Sequence, residues 1–210
     1  MVRHGDIEGG AVEMLRPRGA ADGAVVLGAA IGGTHDQRLA EPVAQRLRGD
    51  DTDKQLTVST SVSFASKWLA PRLSGLRAAY QPFDVLMDVT DVNVDLRQGH
   101  VDTAIRYGFG RYPNAMAERI LEETVTPVCS PDYLAACGGL EQPVQLLHTN
   151  LLHEVGMMAN WEQWFALAGL GKKRPTRGPS YSHGSMAVEA AIRGEGVALG
   201  RNTLVADDSA

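Results

Sequence analysis

Two hydroxyl side chains, those of Ser61 and Ser63, lie where an alternating, β-branched segment gives way to a helical one. Thr60 ends the predicted strand Gln55–Thr60, and Ser61 and Ser63 follow at the start of the next predicted helix. Hydroxyls and unpaired backbone N–H groups at a helix N-terminus form a favourable anion site. Simple helix capping is the alternative, and the two roles are compatible. The segment therefore predicts an anion-binding position at the carboxyl end of the first strand.

Arg106 and Tyr107 form a second group with binding chemistry, directly after the apolar segment Val101–Ile105. This segment predicts a buried strand, and ligands of open α/β sheets bind beyond the carboxyl ends of the strands. Arg106 can hold a carboxylate through two N–H groups, whereas the alternative is a surface salt bridge. We favour the binding role because the arginine directly follows a buried strand.

Histidines with a possible binding role occur in the second half of the chain. His153 follows a short predicted strand, and Ser182 and His183 precede a predicted helix. An imidazole in such a position can contact a ligand, but a structural loop histidine explains His183 equally well. A neighbouring aromatic group is more typical of a helix-to-sheet core than of a stacking platform: Trp161, Trp164 and Phe165.

The motifs of common enzymes and metal sites are missing from the sequence. Its 6 histidines form neither HExxH nor a Cys/His pair at zinc spacing, and there is no GxSxG. The glycines of Gly194–Gly200 lie between a predicted helix and a predicted strand, which is the reverse of the Rossmann order. We therefore predict no metal, no cofactor and no enzymatic activity.

Composition narrows the class of protein and its location. The 210 residues carry 20 basic and 25 acidic side chains, a net charge of −5, which is unlike a basic DNA-binding domain. Two cysteines, Cys129 and Cys137, are too few for a disulfide framework. No apolar run is long enough to span a bilayer, and acidic residues precede the apolar segment Gly23–Ile31, unlike a signal peptide. We predict a cytoplasmic protein.

Strands and helices alternate from Gln55 onward, which predicts βαβ units and a mostly parallel sheet. Pro71 falls inside the first predicted helix and is expected to interrupt or kink it. A further helix is predicted to begin at Ser185. The other predicted strands are Asp84–Val89, Val101–Ile105, Ile120–Ser130, Leu151–His153, Gly178–His183 and Val197–Gly200.

Several segments, in order and at consistent spacing, resemble the effector-binding domain of LysR-type transcriptional regulators. The similarity is greatest to the branch of glycine-cleavage activators and β-lactamase regulators. It covers about three-quarters of the chain. The segments are Leu56–Leu73, Val101–Gly108, Glu123–Pro131, Gly178–Met186 and Ala190–Arg201.

The resemblance implies an α/β fold of two Rossmann-like lobes joined by crossing strands, similar to type II periplasmic binding proteins. A small-molecule effector would bind in the cleft between the lobes, and Thr126 and Pro127 would lie at the crossing. The resemblance also places a proline, here Pro71, inside or at a break of the first helix. The implied effector-binding residues are Thr60, Ser61, Ser63, Arg106, Tyr107, Thr126, His153, Ser182 and His183.

The domain organisation follows from where the resemblance begins and ends. Residues 1–36 match nothing in the family and are predicted to be disordered, whereas residues 37–54 resemble the end of a linker helix. Residues 55–208 form the predicted effector-binding domain, with one lobe at about 55–124 and the other at about 128–208. The DNA-binding domain and the elements that close the first lobe are expected to be missing, which would leave an unpaired sheet edge.

The function implied by the resemblance is ligand sensing in the control of transcription. A stand-alone solute-binding protein of a transporter is the alternative, and an enzyme on the same scaffold comes third because fold does not fix function. The expected effector is an amino acid, a carboxylate or a peptidoglycan fragment. DNA would be contacted only through the missing N-terminal domain, no membrane partner is expected, and intact regulators would form homodimers or homotetramers.

Overall fold

The computed structural model describes residues 7–17, 55–79, 84–108, 112, 115–157, 159–173, 175 and 178–208. The chain divides into a first unit, Gly10–Glu122, and a second unit, Glu123–Ala210 together with Met1–Gly9. The predicted linker-helix remnant at 37–54 lies outside the described residues. Within the described parts of the chain, no helix is both long enough and apolar enough to cross a membrane.

The sheet of the first unit is built around three parallel strands. Strand β2 pairs in parallel with both β3 and β4, as the alternation of strands and helices predicts. The strand order is β3-β2-β4-β1-β5, and β5 continues into the second unit. The strands are β1 (Ile7–Pro17), β2 (Gln55–Thr60), β3 (Asp84–Val89), β4 (Thr103–Gly108) and β5 (Ala115–Val128).

Strand β1 lies within residues 1–36, the segment that the sequence predicts to be disordered. Ile7–Pro17 pairs antiparallel with β4, with Val12 opposite Tyr107 and Glu13 opposite Arg106. An unpaired strand edge is a template for a further strand, and β1 occupies the edge of β4 that β2 leaves open. The other residues of 1–36 lie outside the described residues.

Helix α1 follows β2 and accommodates a proline without ending. It comprises Val62–Phe64, a π-helical turn at Ala65–Leu69, and Ala70–Ala79. In the wide turn, the N–H of Ala70 bonds to the carbonyl of Ala65, five residues earlier. Proline lacks an N–H and crowds the preceding turn of an α-helix. Because the wide turn directly precedes Pro71, the helix continues through the predicted interruption.

The core of the first unit lies between α1 and the sheet. Phe64 and Trp68 of α1 stack with their ring centroids 5.1 Å apart, and both pack with Ile105 of β4. A short 3-10 turn at Leu96–Gln98 precedes β4 and ends at Gly99, whose φ of 73° is left-handed. This turn positions the start of β4, the strand that carries the candidate arginine.

The strands of the second unit lie in the order β5-β8-β6-β7. Strand β6 is parallel to β7 and β8, whereas β5 is antiparallel to β8. A 3-10 segment at Pro143–His148 precedes β6, and a π-helical turn at Ala166–Leu170 continues α3. The elements are α2 (Pro131–Ala136), β6 (Leu151–Glu154), α3 (Trp161–Phe165), β7 (Ser180–Tyr181), α4 (Gly184–Ile192), β8 (Val197–Arg201) and α5 (Asn202–Val205).

Aromatic side chains of α3 form the core of the second unit. Trp161, Trp164 and Phe165 are each at most 2% exposed and pack in one cluster with Leu151 and Val197 of the sheet. Burying a large apolar side chain contributes about 1.5–3 kcal/mol. The prediction that these aromatics belong to the core and not to a stacking platform is confirmed.

Candidate functional site

Arg106 is a buried side chain held by three hydrogen bonds. Its Nη2 donates to Ser59 Oγ at 2.8 Å and to the carbonyl of Val92 at 3.1 Å, and its Nη1 donates to the carbonyl of Ile105 at 2.9 Å. The side chain is only 6% exposed, which excludes the surface salt bridge considered from the sequence. Strand β4 also extends further than predicted, to Gly108, so the arginine lies inside it.

The electrostatic surroundings of Arg106 combine burial with nearby acidic groups. Burial lowers the pKa of the guanidinium, and the charges of Tyr112, Asp91 and Asp88 act in the opposite direction. Its Nε has no acceptor among the residues that the structure describes. A buried donor without an acceptor is costly, so this N–H is a natural contact for a ligand oxygen.

The hydroxyl-bearing residues at the end of β2 include one helix cap and one side chain without a hydrogen-bond partner among the described residues. Ser61 caps α1, accepting from the N–H of Phe64 at 3.4 Å, and Ser63 is buried. Thr60 is fully buried, and its Oγ1 has no partner in the described part of the chain. Ser61 thus takes the capping role considered from the sequence, whereas the buried hydroxyl of Thr60 has no hydrogen-bond partner among the described residues.

A carboxylate that the sequence did not single out lies at the N-terminus of α1. Asp91 Oδ1 accepts from the N–H of Val62 at 3.4 Å. The protein's own acid therefore takes part of the predicted anion position. The same acid acts electrostatically on Arg106, so this end of the sheet carries both signs of charge.

The predicted residues of the first unit share one edge of the sheet. Thr60 lies opposite Ile105 in the parallel pairing of β2 with β4. Arg106 and Tyr107 therefore lie just beyond the level at which β2 ends and α1 begins. This is the carboxyl end of a parallel strand, where α/β sheets bind ligands.

In the second unit, the predicted residues lie on two strands and directly before one helix. Thr126 is buried in β5, opposite Gly200, and His153 is half-buried in β6. Ser182 Oγ lies 2.7 Å from Nδ1 of His183. Helix α4 begins at Gly184, one residue earlier than predicted, with His183 as its N-cap residue.

Glu154 and Arg201 form an ion pair that sequence reasoning missed. Arg201 Nη2 lies 3.7 Å from Glu154 Oε1, and both side chains are largely buried. A Cβ at Gly184 would lie 2.6 Å from Glu154 Oε2, so the carboxylate packs against the start of α4. The helix N-terminus stabilises such a negative charge. The signal that identified Arg106, an arginine at the end of a buried strand, applies equally to Arg201.

Glu123 is the second acidic group of this cluster. Thr203 donates to its Oε1, and its Oε2 has no partner among the described residues. The side chain is 3% exposed, and burial raises the pKa of its carboxyl to about 7, aided by Glu154 and opposed by Arg201. The second unit therefore holds a carboxyl group that exchanges a proton near neutral pH.

Both units thus place buried polar side chains at the ends of strands in α/β sheets, the arrangement of a small-molecule binding domain. The family model described as the LysR substrate binding domain matches residues 49–210. The chain belongs to this family.

Relatives in the family are transcriptional activators. The chain is 37% identical over 160 residues to the glycine cleavage system transcriptional activator of Escherichia coli (strain K12), covering 76% of this chain and 52% of that protein. It is 32% identical over 156 residues to the HTH-type transcriptional activator AmpR of Pseudomonas aeruginosa, covering 74% and 51%. The chain thus spans about half the length of the curated relatives it matches.

Solved structures agree with the fold. The effector domain of AmpR from Pseudomonas aeruginosa superposes with a TM-score of 0.63 at 31% identity, covering 74% of each chain. The regulatory domain of CrgA from Neisseria meningitidis has a TM-score of 0.63 at 20% identity and supports the fold alone. The predicted family and its α/β effector-domain fold are confirmed.

Proposed function

We propose that this chain is the sensing domain of a transcriptional regulator and that it binds a small molecule carrying a carboxylate. The observation that carries the proposal is a pair of buried, unsatisfied polar atoms, Thr60 Oγ1 and Arg106 Nε, at the ends of neighbouring strands. Each would gain a hydrogen bond from a ligand oxygen. A hydrogen bond to a charged group contributes about 1.5–3 kcal/mol.

The charges beside Arg106 favour one ligand class. The carboxylate of Asp91, at the start of α1, can pair with an ammonium group of a ligand, and Arg106 can pair with a carboxylate of the ligand. An amino acid or an amino-acid-containing fragment carries both groups, whereas a simple carboxylate carries one. We therefore place amino acids ahead of simple carboxylates, with peptidoglycan fragments as the larger candidates.

The remaining site residues and partners are part of the same proposal. Binding would shift the domain between conformations of different ligand affinity, which is how a sensor communicates with the rest of a regulator. In the intact protein we propose DNA contact through a separate domain, a homodimer or homotetramer, and a cytoplasmic location. The names of the relatives favour this regulator over the transporter alternative.

We propose second-unit ligand contacts from Thr126, His153, Ser182 and His183, with Ser61, Ser63 and Tyr107 completing the first-unit set.

Thermal unfolding in the presence of amino acids, small carboxylates and peptidoglycan fragments tests the proposal. A ligand at about 100 times its Kd stabilises a folded protein by about 2.7 kcal/mol, or roughly 5–10 °C for a domain of this size. We expect a saturable increase in Tm with at least one class. The proposal fails if none of the three classes stabilises the protein.

A further inference from the structure

A cavity lies within the second unit, and none of the ligand contacts proposed above lines it. It has a volume of about 350 Å³ and is bounded by β5, α2, the 3-10 segment, α3, α4 and β8. Ligand pockets in proteins have volumes of about 300–1,000 Å³. The cavity is therefore large enough for a small organic molecule. Its walls include Pro127, Leu134, Leu146, Trp164, Val188 and Val197.

The chemistry of the walls disfavours an anionic ligand. Most of the lining side chains are apolar, and Leu146, Val188 and Val197 belong to the buried interior. The described residues that line the cavity include no lysine, arginine or histidine, whereas Asp208 is acidic. An anion would meet no compensating charge there and would pay a large desolvation cost. A neutral, mainly apolar molecule fits these walls.

One residue that lines the cavity carries an unused hydrogen-bond donor. Trp164 is only 1% exposed, and its indole Nε1–H has no acceptor in the part of the chain that the structure describes. Its neighbour Trp161 differs, because the Nε1–H of that residue donates to the carbonyl of Leu152 at 3.0 Å. Buried indole N–H groups normally find a partner. A hydrogen-bond acceptor on a bound molecule would satisfy the unused donor.

We propose that this cavity is a second ligand site, for a neutral apolar molecule with one carbonyl oxygen that accepts from Nε1 of Trp164. Its ligand differs in class from the carboxylate proposed for the first unit. The two sites differ in the donor that they present to a ligand. The first-unit site has the guanidinium of Arg106, whereas the cavity has the single neutral N–H of Trp164. The inference does not depend on the identity of the first ligand.

Benzophenone and diphenylmethane form a matched pair of probes for this site. They have similar size and shape, but only benzophenone has a carbonyl oxygen. Calorimetric titration of the full chain should show benzophenone binding about tenfold more tightly than diphenylmethane, the difference expected for one hydrogen bond to a buried donor. Photo-crosslinking with benzophenone, followed by peptide mapping, should label residues of the cavity wall.

Three variants connect any binding to the cavity. Trp164→Phe removes the donor and should reduce the preference for benzophenone to within about twofold. Leu134→Trp, a half-buried position in the wall, should weaken both probes by filling the space. Trp161→Phe is the matched control, because this residue is not in the wall, and it should leave the preference unchanged.

The proposal is overturned if neither probe binds, if both bind equally to the wild-type chain, or if Trp164→Phe keeps the full preference. Crosslinks confined to residues outside the second unit would also overturn it. Circular dichroism of each variant establishes that the fold is retained, and the two tryptophan variants provide independent tests should Leu134→Trp fail to fold.

Discussion

Arg106 Nη2 and Ser59 Oγ lie 2.8 Å apart, and this hydrogen bond joins neighbouring parallel strands of the first unit. The bond holds a buried guanidinium at the carboxyl end of β2. Two backbone carbonyls accept its other hydrogen bonds, yet its Nε remains without an acceptor among the described residues. The arginine is thus oriented before any ligand arrives, and such preorganisation reduces the entropy cost of binding.

Thr60→Val should separate ligand binding from folding. The buried hydroxyl of Thr60 has no partner in the described chain, so its replacement should leave the free energy of unfolding unchanged or raise it by up to about 1 kcal/mol. Affinity for the effector should fall about fivefold to tenfold, as measured by calorimetric titration.

Thr103→Val is the matched control for the threonine prediction. Thr103 is also fully buried in the same sheet, but it has an interaction partner, whereas Thr60 Oγ1 has none in the described chain. This variant should lose about 1 kcal/mol of stability and keep its ligand affinity. Equal effects of the two variants on affinity would contradict a ligand-binding role for Thr60.

Substitution by phenylalanine should destabilise the protein to different extents at the two tryptophans of α3. Both variants lose similar ring volume from one core, but Trp161→Phe also removes the hydrogen bond to the carbonyl of Leu152. Denaturant unfolding should show Trp161→Phe to be about 1–3 kcal/mol less stable than Trp164→Phe. The opposite order would mean that Nε1 of Trp164 has a partner in solution.

Glu123 should make stability depend on pH in the direction opposite to that of an ordinary paired carboxylate. The pKa of its carboxyl is raised from 4.5 to about 7 in the folded protein, so the folded state binds more protons between these values. Stability should therefore decrease as pH rises from about 4.5 to 7 and change little above that, with a total effect on the order of 3 kcal/mol.

Two glutamine variants test the assignment of this pH dependence. Glu123→Gln should flatten the profile of the free energy of unfolding between pH 4.5 and 7, because the titrating group is gone. Glu122→Gln, at the exposed neighbouring position, should leave the profile unchanged. A slope that survives in Glu123→Gln would assign the effect to another group.

Strand β1 should protect the backbone amides of β4. Val12→Pro removes an N–H from the strand and should accelerate hydrogen exchange in Thr103–Gly108 about tenfold relative to Val12→Ala, which keeps the backbone pairing. Exchange in β6 of the second unit serves as the internal reference. Equal exchange in the two variants would show that β1 does not pair with β4 in solution.

Most strands and helices could be predicted from the sequence because β-branched runs and apolar side chains at helical spacing mark them. Strand Gln55–Thr60 and the aromatic face of α3 are examples. Strand β1 was missed because Gly9 and Gly10 interrupt any alternation, and a strand ordered by backbone pairing has no side-chain signature. The π-helical turn before Pro71 could not be predicted either. The spacing of apolar residues shows which side of a helix is buried, but not which carbonyl each N–H bonds to.

The candidate site was predicted in part for a similar reason. Arg106 and Thr60 lie near the carboxyl ends of apolar strands, and position in the sequence is enough to place them at one edge of the sheet. The pairing of Glu154 with Arg201 joins strands 47 positions apart in the chain, a contact that needs the strand order β8-β6. The raised pKa of Glu123 depends on burial by three-dimensional packing, which the local sequence does not record.

The most direct test of the proposed sensing function compares the wild-type chain with Arg106→Lys in thermal unfolding. Lysine keeps the charge but cannot supply the planar pair of N–H groups. With the most stabilising compound of the panel at about 100 times its Kd, the wild-type Tm should rise by roughly 5–10 °C. The rise in Arg106→Lys should be half of that or less, whereas equal rises in both proteins would contradict a ligand contact at Arg106.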